Sequence, residues 1–247
     1  MIRWAAALSL GLILWATIAA SAEDKRTLSP QQSQEVERIV HDYLLKNPDV
    51  ILEAMKALEA REQAQQTERT KTALEKNRDK LLRSTASPAL GNPKGDVTVV
   101  EFFDYQCPYC RKVVEPVFNA VAKDGKVRIV MKELPILGPE STYAAKAALA
   151  AHKQGKYREL HLALMDQKTK LSEAVVIAAA EKLGLDTKRL KRDMDSPDID
   201  DEIKQNIELA HALQINGTPA FIVGNQIAPG AIDGDRLTAM IKEARKG

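Results

Sequence analysis

Cysteine is scarce in this sequence. Its 247 residues contain only two cysteines, Cys107 and Cys110, which excludes a small scaffold held together by several disulfides. Excess charge of one sign is also missing, since 36 Lys and Arg residues stand against 34 Asp and Glu residues for a formal net charge of +2. No basic patch interleaved with aromatic residues stands out, so nucleic acid is not an expected partner. No internal repeat is evident, and the length allows one or two domains.

The first 22 residues have the pattern of a secretory signal peptide. Arg3 supplies a positive charge, residues 5–19 are mainly apolar, and Ala20-Ser21-Ala22 fits the small-residue pattern of a signal-peptidase site. The alternative is an uncleaved membrane anchor, because the apolar run is near the minimum length for a span. We favour cleavage after Ala22, since Ala, Gly, Ser and Thr dilute the run. The mature protein is then exported to the periplasm, where disulfides persist.

Residues 23–86 are predicted to form a helical region and a linker. Ser29 and Gln32 fit a capping box, and Pro30 suits the first position of the helix that this box opens. A second helix follows Pro48. Both helices carry an apolar stripe on one face.

This helical region is too small to bury both apolar faces in a core of its own. Leu74 and Leu81 are out of heptad phase with Ile51 and Leu58, so a sustained coiled coil is not predicted. The faces either dock on the main domain or pair with other copies of the chain. We favour a homo-oligomer formed through residues 27–84, because the long charged segment that follows the apolar stripes looks like a spacer, and docking explains a spacer poorly.

Residues 87–247 are predicted to form an α/β domain. A strand, a helix that starts at Cys107 and a second strand form the kind of unit that makes parallel sheet. An Ala-rich helical insertion of about residues 139–213 then interrupts a small mixed sheet. The predicted elements are strands at 97–103, 127–134, 220–223 and 226–228, a first insertion helix at 141–165 and a closing helix at 233–246.

The spacing of Cys107 and Cys110 is compatible with three kinds of site. A zinc site needs a second ligand pair, and the four histidines offer none at ligand spacing. A static disulfide would close a very small loop and constrain little of the unfolded chain. A dithiol redox couple accounts together for the export, the lack of other cysteines and the position where a strand passes into a helix. We favour the redox couple, because a helix N-terminus favours the thiolate that acts as nucleophile.

The order of these features resembles the thioredoxin superfamily. Two stretches carry the resemblance: Val-Glu-Phe-Phe-Asp-Tyr-Gln-Cys-Pro-Tyr-Cys at 100–110 and Gly-Thr-Pro-Ala at 217–220. The embedded helical domain makes residues 87–247 similar to the DsbA branch. The added N-terminal helices resemble the subgroup that contains the suppressor-of-copper-sensitivity protein C, some of whose members are trimers. The resemblance implies a thioredoxin fold with an inserted helical domain, protein disulfide oxidoreductase or isomerase activity, and no cofactor besides a redox-active Cys107–Cys110 disulfide.

The resemblance also implies roles for individual residues. Cys107 is implied to be the exposed attacking thiolate, and the more buried Cys110 to be the resolving thiol. Pro219 is implied to be a cis-proline that presents the Thr218 backbone as an edge for an extended substrate peptide. Glu101 is implied to be a buried acid that relays a proton for Cys110. The alternative for Glu101 is a solvent-facing strand glutamate.

Pro108-Tyr109 differs from the Pro-His dipeptide of DsbA itself. Histidine there adds partial positive charge and tyrosine does not, so we expect a milder oxidant.

The expected partners are cysteine-containing exported proteins and a membrane redox partner. Whether the protein acts as an oxidase or as an isomerase or reductase is left open, with the N-terminal helices tilting the choice toward the latter. A different class of function is a non-catalytic protein that holds Cu(I) between Cys107 and Cys110, although no Met or His cluster supports it.

Overall fold

The computed structural model describes residues 28–246. The signal-peptide prediction for residues 1–22 lies outside the described residues. The chain divides into two compact units, with the division between Arg61 and Glu62. Within the described residues, none of the helices combines the length and apolarity needed to cross a bilayer.

The first unit contains helix α1 (Pro30–Lys46) and the start of helix α2 (Asp49–Lys76). The predicted capping box is confirmed, since the Ser29 hydroxyl accepts from the Gln32 backbone N–H at 3.3 Å and the Gln32 side chain accepts from the Ser29 N–H at 2.9 Å. Helix α1 has no buried residue among those described. The large apolar side chains of this unit are therefore open to solvent, with 45–57% exposure for Val36, Ile39, Val40, Tyr43, Ile51, Leu52, Met55 and Leu58.

The second unit is built on a five-stranded mixed sheet with the strand order β1-β3-β2-β4-β5. Strands β2 and β3 are parallel neighbours at its centre, and the other three strands are antiparallel to their partners. The α/β class predicted from the sequence is confirmed. The strands are β1 (Ala89–Gly91), β2 (Val97–Phe103), β3 (Val127–Glu133), β4 (Ala220–Val223) and β5 (Gln226–Pro229).

Strand β1 was not predicted from the sequence. It has only three residues, ends on a glycine and pairs with β3 alone. A strand this short carries no period-two pattern that could reveal it. Its pairing depends on β3, which lies nearly forty residues further along the chain.

The remaining helices include one correction to the sequence prediction. Residues 141–165, predicted as one helix, form two helices separated by a turn at residues 153–156. Gly155 has a φ of +70°, a left-handed conformation that ends the first helix. The helices of the second unit that follow α2 are α3 (Arg78–Leu82), α4 (Pro108–Asp124), α5 (Pro139–His152), α6 (Tyr157–Met165), α7 (Glu173–Lys182), α8 (Thr187–Met194), α9 (Pro197–Ala212) and α10 (Gly234–Ala244).

Alternation along β2 and β3 divides the core between the two faces of the sheet. Val99 and Phe103 of β2 point toward one face, in a core that includes side chains of α4, α10 and the inserted helices α5–α9. Val100 and Phe102 point toward the other face, where they join a second core with Leu74, Leu81 and side chains from the end of α9. The cysteine pair belongs to the first of these faces.

Candidate active site

Cys107 lies at the point where β2 passes into α4. It is the N-cap residue of α4, with extended backbone angles of φ −72° and ψ 117°, and Pro108 occupies the first helical position. Its backbone N–H donates to the Asp104 carbonyl at 3.1 Å, and its carbonyl accepts from the Arg111 N–H at 3.2 Å. The predicted placement of Cys107 at a helix N-terminus is thus confirmed, and Cys110 follows one helical turn later.

The exposure of Cys107 differs from the expectation. It was expected to be exposed, but only 4% of its surface is accessible, against 0% for Cys110. The cover comes from a distant part of the chain, because the Cys107 Sγ donates to the Thr218 carbonyl oxygen at 3.2 Å. A hydrogen bond across 111 residues leaves no trace in the local sequence.

The Thr218–Pro219 peptide bond is cis and immediately precedes strand β4. Thr218 is partly exposed, while Pro219 is buried and its carbonyl accepts from the Gly230 N–H at 2.8 Å. The carbonyl of the partly exposed Thr218 therefore lies directly beside the Cys107 sulfur.

Pro108 and Tyr109 form the exposed outer edge of the site. Both are exposed in the first turn of α4, and Tyr109 leaves 62% of its surface open to solvent. A large aromatic side chain next to the two cysteines is thereby available to a molecule that approaches Cys107.

Glu101 lies in the middle of the sheet rather than at its surface. It pairs with Met131 of β3 on one side and with Phe221 of β4 on the other, and it is 2% exposed. Burial raises the pKa of Glu101 to about 8. The carboxyl group therefore gains and loses its proton close to neutral pH.

Burial also raises the pKa of the Cys110 thiol, and the charges of Cys107 and Glu101 add to the increase. A backbone hydrogen bond from Asp104 and one from the Thr218 side chain act in the opposite direction. Cys110 is consequently held as a neutral thiol unless a base removes its proton.

A buried carboxylate that was not singled out in the sequence fixes the loop before Cys107. Asp104 is 2% exposed, and its side chain accepts from the Gln106 N–H at 2.7 Å, the Ser141 hydroxyl at 2.7 Å and the Leu137 N–H at 3.0 Å. The loop is thereby joined to the β3–α5 connection and to α5. One signal was present in the sequence, namely an acidic residue that directly follows an apolar strand.

The two cysteines are the ligands that a non-catalytic copper site would use. No group of three or more His, Cys, Asp or Glu side chains that could hold a metal ion occurs in the part of the chain that the structure describes. Two thiolates alone would suit a soft ion such as Cu(I) better than Zn²⁺.

Comparison with known proteins identifies the family. The model of the DSBA-like thioredoxin domain matches residues 98–242, which include both cysteines and the Thr218–Pro219 bond. The chain belongs to this family. The model of the copper resistance protein ScsC N-terminal domain matches residues 32–65. The expected thioredoxin fold of the DsbA branch and the resemblance to the suppressor-of-copper-sensitivity subgroup are both confirmed.

Two solved structures are similar to this DSBA-like chain. A thioredoxin-like oxidoreductase from Silicibacter pomeroyi is 48% identical, with a TM-score of 0.68, over 69% of this chain and 99% of that one. The catalytic domain of Proteus mirabilis ScsC is 31% identical, with a TM-score of 0.67, over 72% of this chain and 99% of that one. Family membership assigns a DSBA-like thioredoxin domain to residues 98–242 of this chain.

Two curated relatives are similar to part of this chain. A "Probable disulfide bond formation protein D" of Bacillus cereus is 28% identical over 181 residues, which are 68% of this chain and 83% of that protein. The "Na(+)/H(+) antiporter NhaA 3" of Salinispora tropica is 31% identical over 156 residues, 62% of this chain. The chain spans about a quarter of the length of the antiporters that it matches.

Proposed function

We propose that this protein is an exported thiol–disulfide oxidoreductase, cleaved after Ala22, that acts in the periplasm on cysteine-containing exported proteins. Its redox centre is the Cys107–Cys110 pair, which needs no further cofactor. One observation carries the proposal: Cys107 caps α4, and its sulfur lies 3.2 Å from the Thr218 carbonyl. A nucleophilic sulfur is thereby set next to a backbone edge at which an extended peptide can bind.

The two cysteines have different roles in the proposed exchange. The Cys107 thiolate attacks a substrate disulfide, forms a mixed disulfide and releases one substrate thiolate. Cys110 then loses its proton and attacks the Cys107 sulfur, which breaks the mixed disulfide and releases the second substrate thiolate. The Cys107–Cys110 disulfide that remains can run the same steps backwards and oxidise a dithiol substrate.

Glu101 is proposed to accept the proton that Cys110 loses. A base with a pKa of about 8 is close to the operating pH, where proton transfer is most effective. Thr218 and Pro219 are proposed to form the substrate groove, and Pro108 and Tyr109 to tune the redox balance of the pair.

The direction of exchange is proposed to depend on the first unit. Its apolar side chains are uncovered within the described chain, and burying them against other copies would be favourable at about 25 cal/mol for each Å². We propose a homo-oligomer formed through residues 27–84, which shields the cysteines from a reoxidising membrane partner. This arrangement favours isomerase or reductase activity over simple oxidation.

Removal of residues 23–61 is expected to abolish most isomerase activity. The measurement compares reactivation of scrambled ribonuclease by the mature chain and by a shortened chain that starts at Glu62, which keeps Leu74 and Leu81 in the core of the second unit. The shortened chain should still oxidise a dithiol peptide at the rate of the mature chain, since the cysteine site lies wholly in the second unit. Equal reactivation by both chains would contradict the role given to the helices.

Tyr109→His is expected to make the pair more oxidising. An imidazole near the thiolate adds partial positive charge and stabilises the reduced form, with an expected change of about threefold to tenfold in the equilibrium constant with glutathione. The wild type should be a weaker oxidant than DsbA titrated in parallel. A wild-type potential as high as that of DsbA would contradict the tuning role of Pro108 and Tyr109.

A further inference from the structure

A buried polar cluster beside the cysteine loop has no part in the proposed exchange. It consists of Tyr105, from the loop between β2 and α4, Glu133 at the end of β3, and Tyr157 and His161 of α6. All four are at most 3% exposed. The sequence analysis did not single out this cluster, because its members come from three separate elements.

One carboxyl oxygen of Glu133 joins the two tyrosines, and the Tyr105 hydroxyl joins His161. The Tyr105 hydroxyl donates to Glu133 Oε1 at 3.1 Å, and the Tyr157 hydroxyl donates to the same oxygen at 2.9 Å. The Tyr105 hydroxyl also lies 3.1 Å from His161 Nδ1. Glu133 Oε2 and His161 Nε2 have no hydrogen-bond partner among the described residues.

Burial favours the uncharged form of each side chain in the cluster. Burial raises the pKa of Glu133 well above its ordinary value, and burial lowers the pKa of His161 to about 3. Both tyrosines have raised pKa values, again chiefly because they are buried.

Tyr105 connects this cluster to Cys107 through the backbone of the loop before α4. Tyr105 belongs to the three-residue loop that connects β2 to the N-cap of α4, and its ring packs edge-on against Phe103 with centroids 5.3 Å apart. The Tyr105 carbonyl accepts from Arg111 Nε at 2.8 Å. The loop is thus fixed at its side chain by Glu133 and at its backbone by α4 itself.

We infer that Glu133 is a positioning residue for the redox site and acts through Tyr105. Its carboxyl oxygen holds the Tyr105 side chain, and the loop that Tyr105 anchors sets the Cys107 sulfur against the Thr218 carbonyl. This inference rests on the proposed function, since it concerns the reactivity of the same cysteine pair.

Tyr157 supplies a matched control for this inference. Tyr105→Phe and Tyr157→Phe each remove one buried hydroxyl from the same Glu133 oxygen. Only Tyr105 lies in the cysteine loop, whereas Tyr157 lies in α6. Tyr105→Phe should lower the urea midpoint of unfolding more than Tyr157→Phe, because the Tyr105 hydroxyl also contacts His161 Nδ1. A purely structural role predicts that neither variant changes the reactivity of Cys107 in the folded protein.

The experiment measures the rate constant for alkylation of Cys107 by iodoacetamide at pH 7 and the equilibrium constant with glutathione. Tyr105→Phe should change both by about threefold or more, the size expected when a hydrogen bond is lost. Alkylation should be slower and the pair less oxidising, because a loosened loop holds Cys107 less firmly at the N-terminus of α4, where the thiolate is stabilised. Tyr157→Phe should stay near the wild type. Glu133→Leu should behave like Tyr105→Phe, and Glu133→Gln, which keeps a carbonyl acceptor, should restore most of the wild-type behaviour.

The outcomes separate this inference from the proposed function. Equal effects of Tyr105→Phe and Tyr157→Phe, or no effect of Tyr105→Phe, would overturn the positioning role while the wild type still exchanges with glutathione. A wild type that does not exchange at all would overturn the proposed function and this inference with it. If Glu133→Leu fails to fold, the two tyrosine variants still decide the question.

Discussion

Replacing Cys110 with alanine is expected to convert the protein into a trap for its substrates. Cys107 keeps its place at the N-terminus of α4 and still attacks a substrate disulfide, but the step that breaks the mixed disulfide is lost. Turnover should fall by more than about a hundredfold, because an attack by water or external thiol replaces an intramolecular one. Mixed disulfides should accumulate with exported proteins and appear as reducible bands on non-reducing gels.

Cys107→Ala is the matched control for the trap. It removes the sulfur at the N-terminus of α4 and leaves Cys110, which is fully buried and whose thiol pKa is raised by burial. This variant should trap nothing and should lose turnover to the same extent. Capture by Cys107→Ala as efficient as that by Cys110→Ala would contradict the assignment of the nucleophile. No capture by either variant, together with stoichiometric Cu(I) binding by the reduced wild type, would favour the non-catalytic copper protein.

Glu101→Gln is expected to change how stability depends on pH. Folding raises the pKa of Glu101 from an ordinary 4.5 to about 8, so the folded state binds the Glu101 proton over a range in which the unfolded state has released it. This group therefore makes the folded state progressively less stable as the pH rises from about 4.5 to about 8, and above that range the penalty is constant. The full difference corresponds to roughly 5 kcal/mol.

Urea unfolding at pH 5 and at pH 9 tests this expectation. The free energy of unfolding of Glu101→Gln, relative to that of the wild type, should be several kcal/mol higher at pH 9 than at pH 5. The raised pKa limits this change to about 5 kcal/mol. Burial of an unpaired amide lowers stability by a similar amount at both pH values and leaves the difference unaffected. The control Glu115→Gln, on the exposed side of α4, should leave unfolding unchanged. A wild type and a Glu101→Gln variant with parallel pH dependence would contradict a raised pKa at this position.

The starts of α4 and α1 could both be predicted from the sequence. The start of α4 was predictable because Pro108 suits a first helical position and apolar residues recur at helical spacing after it. The capping box of α1 was predictable for the same reason, since its two hydrogen bonds join residues three positions apart. Local patterns of this kind are set by neighbouring residues alone.

The burial of Glu101 illustrates an intermediate case. Alternation along β2 assigns Glu101 to the face of Phe103, and both are buried in the structure. Strand alternation predicts the face of the sheet on which Glu101 lies but not how deeply its side chain is buried. The burial depends on β3 and β4, which lie on either side of β2. The pKa of about 8 follows from that depth and from nothing in the local sequence.

Helical periodicity did not predict the turn that divides residues 141–165 into two helices. Alanine and leucine continue on both sides of the turn, so periodicity alone favours one helix. The left-handed conformation of Gly155 is available to glycine in any setting, but the packing of α5 against α6 selects it here. Glycine permits the turn, and the tertiary structure requires it.

By itself the sequence determined where the proposed chemistry lies, because its two cysteines stand together at a predicted helix N-terminus in an otherwise cysteine-free chain. Only the tertiary structure decided how that centre is covered and held. The Thr218 carbonyl reaches the Cys107 sulfur, and Glu133 reaches Tyr105, across 111 and 28 residues of chain respectively. Such contacts arise when strands and helices pack, and no pattern of neighbouring residues contains them.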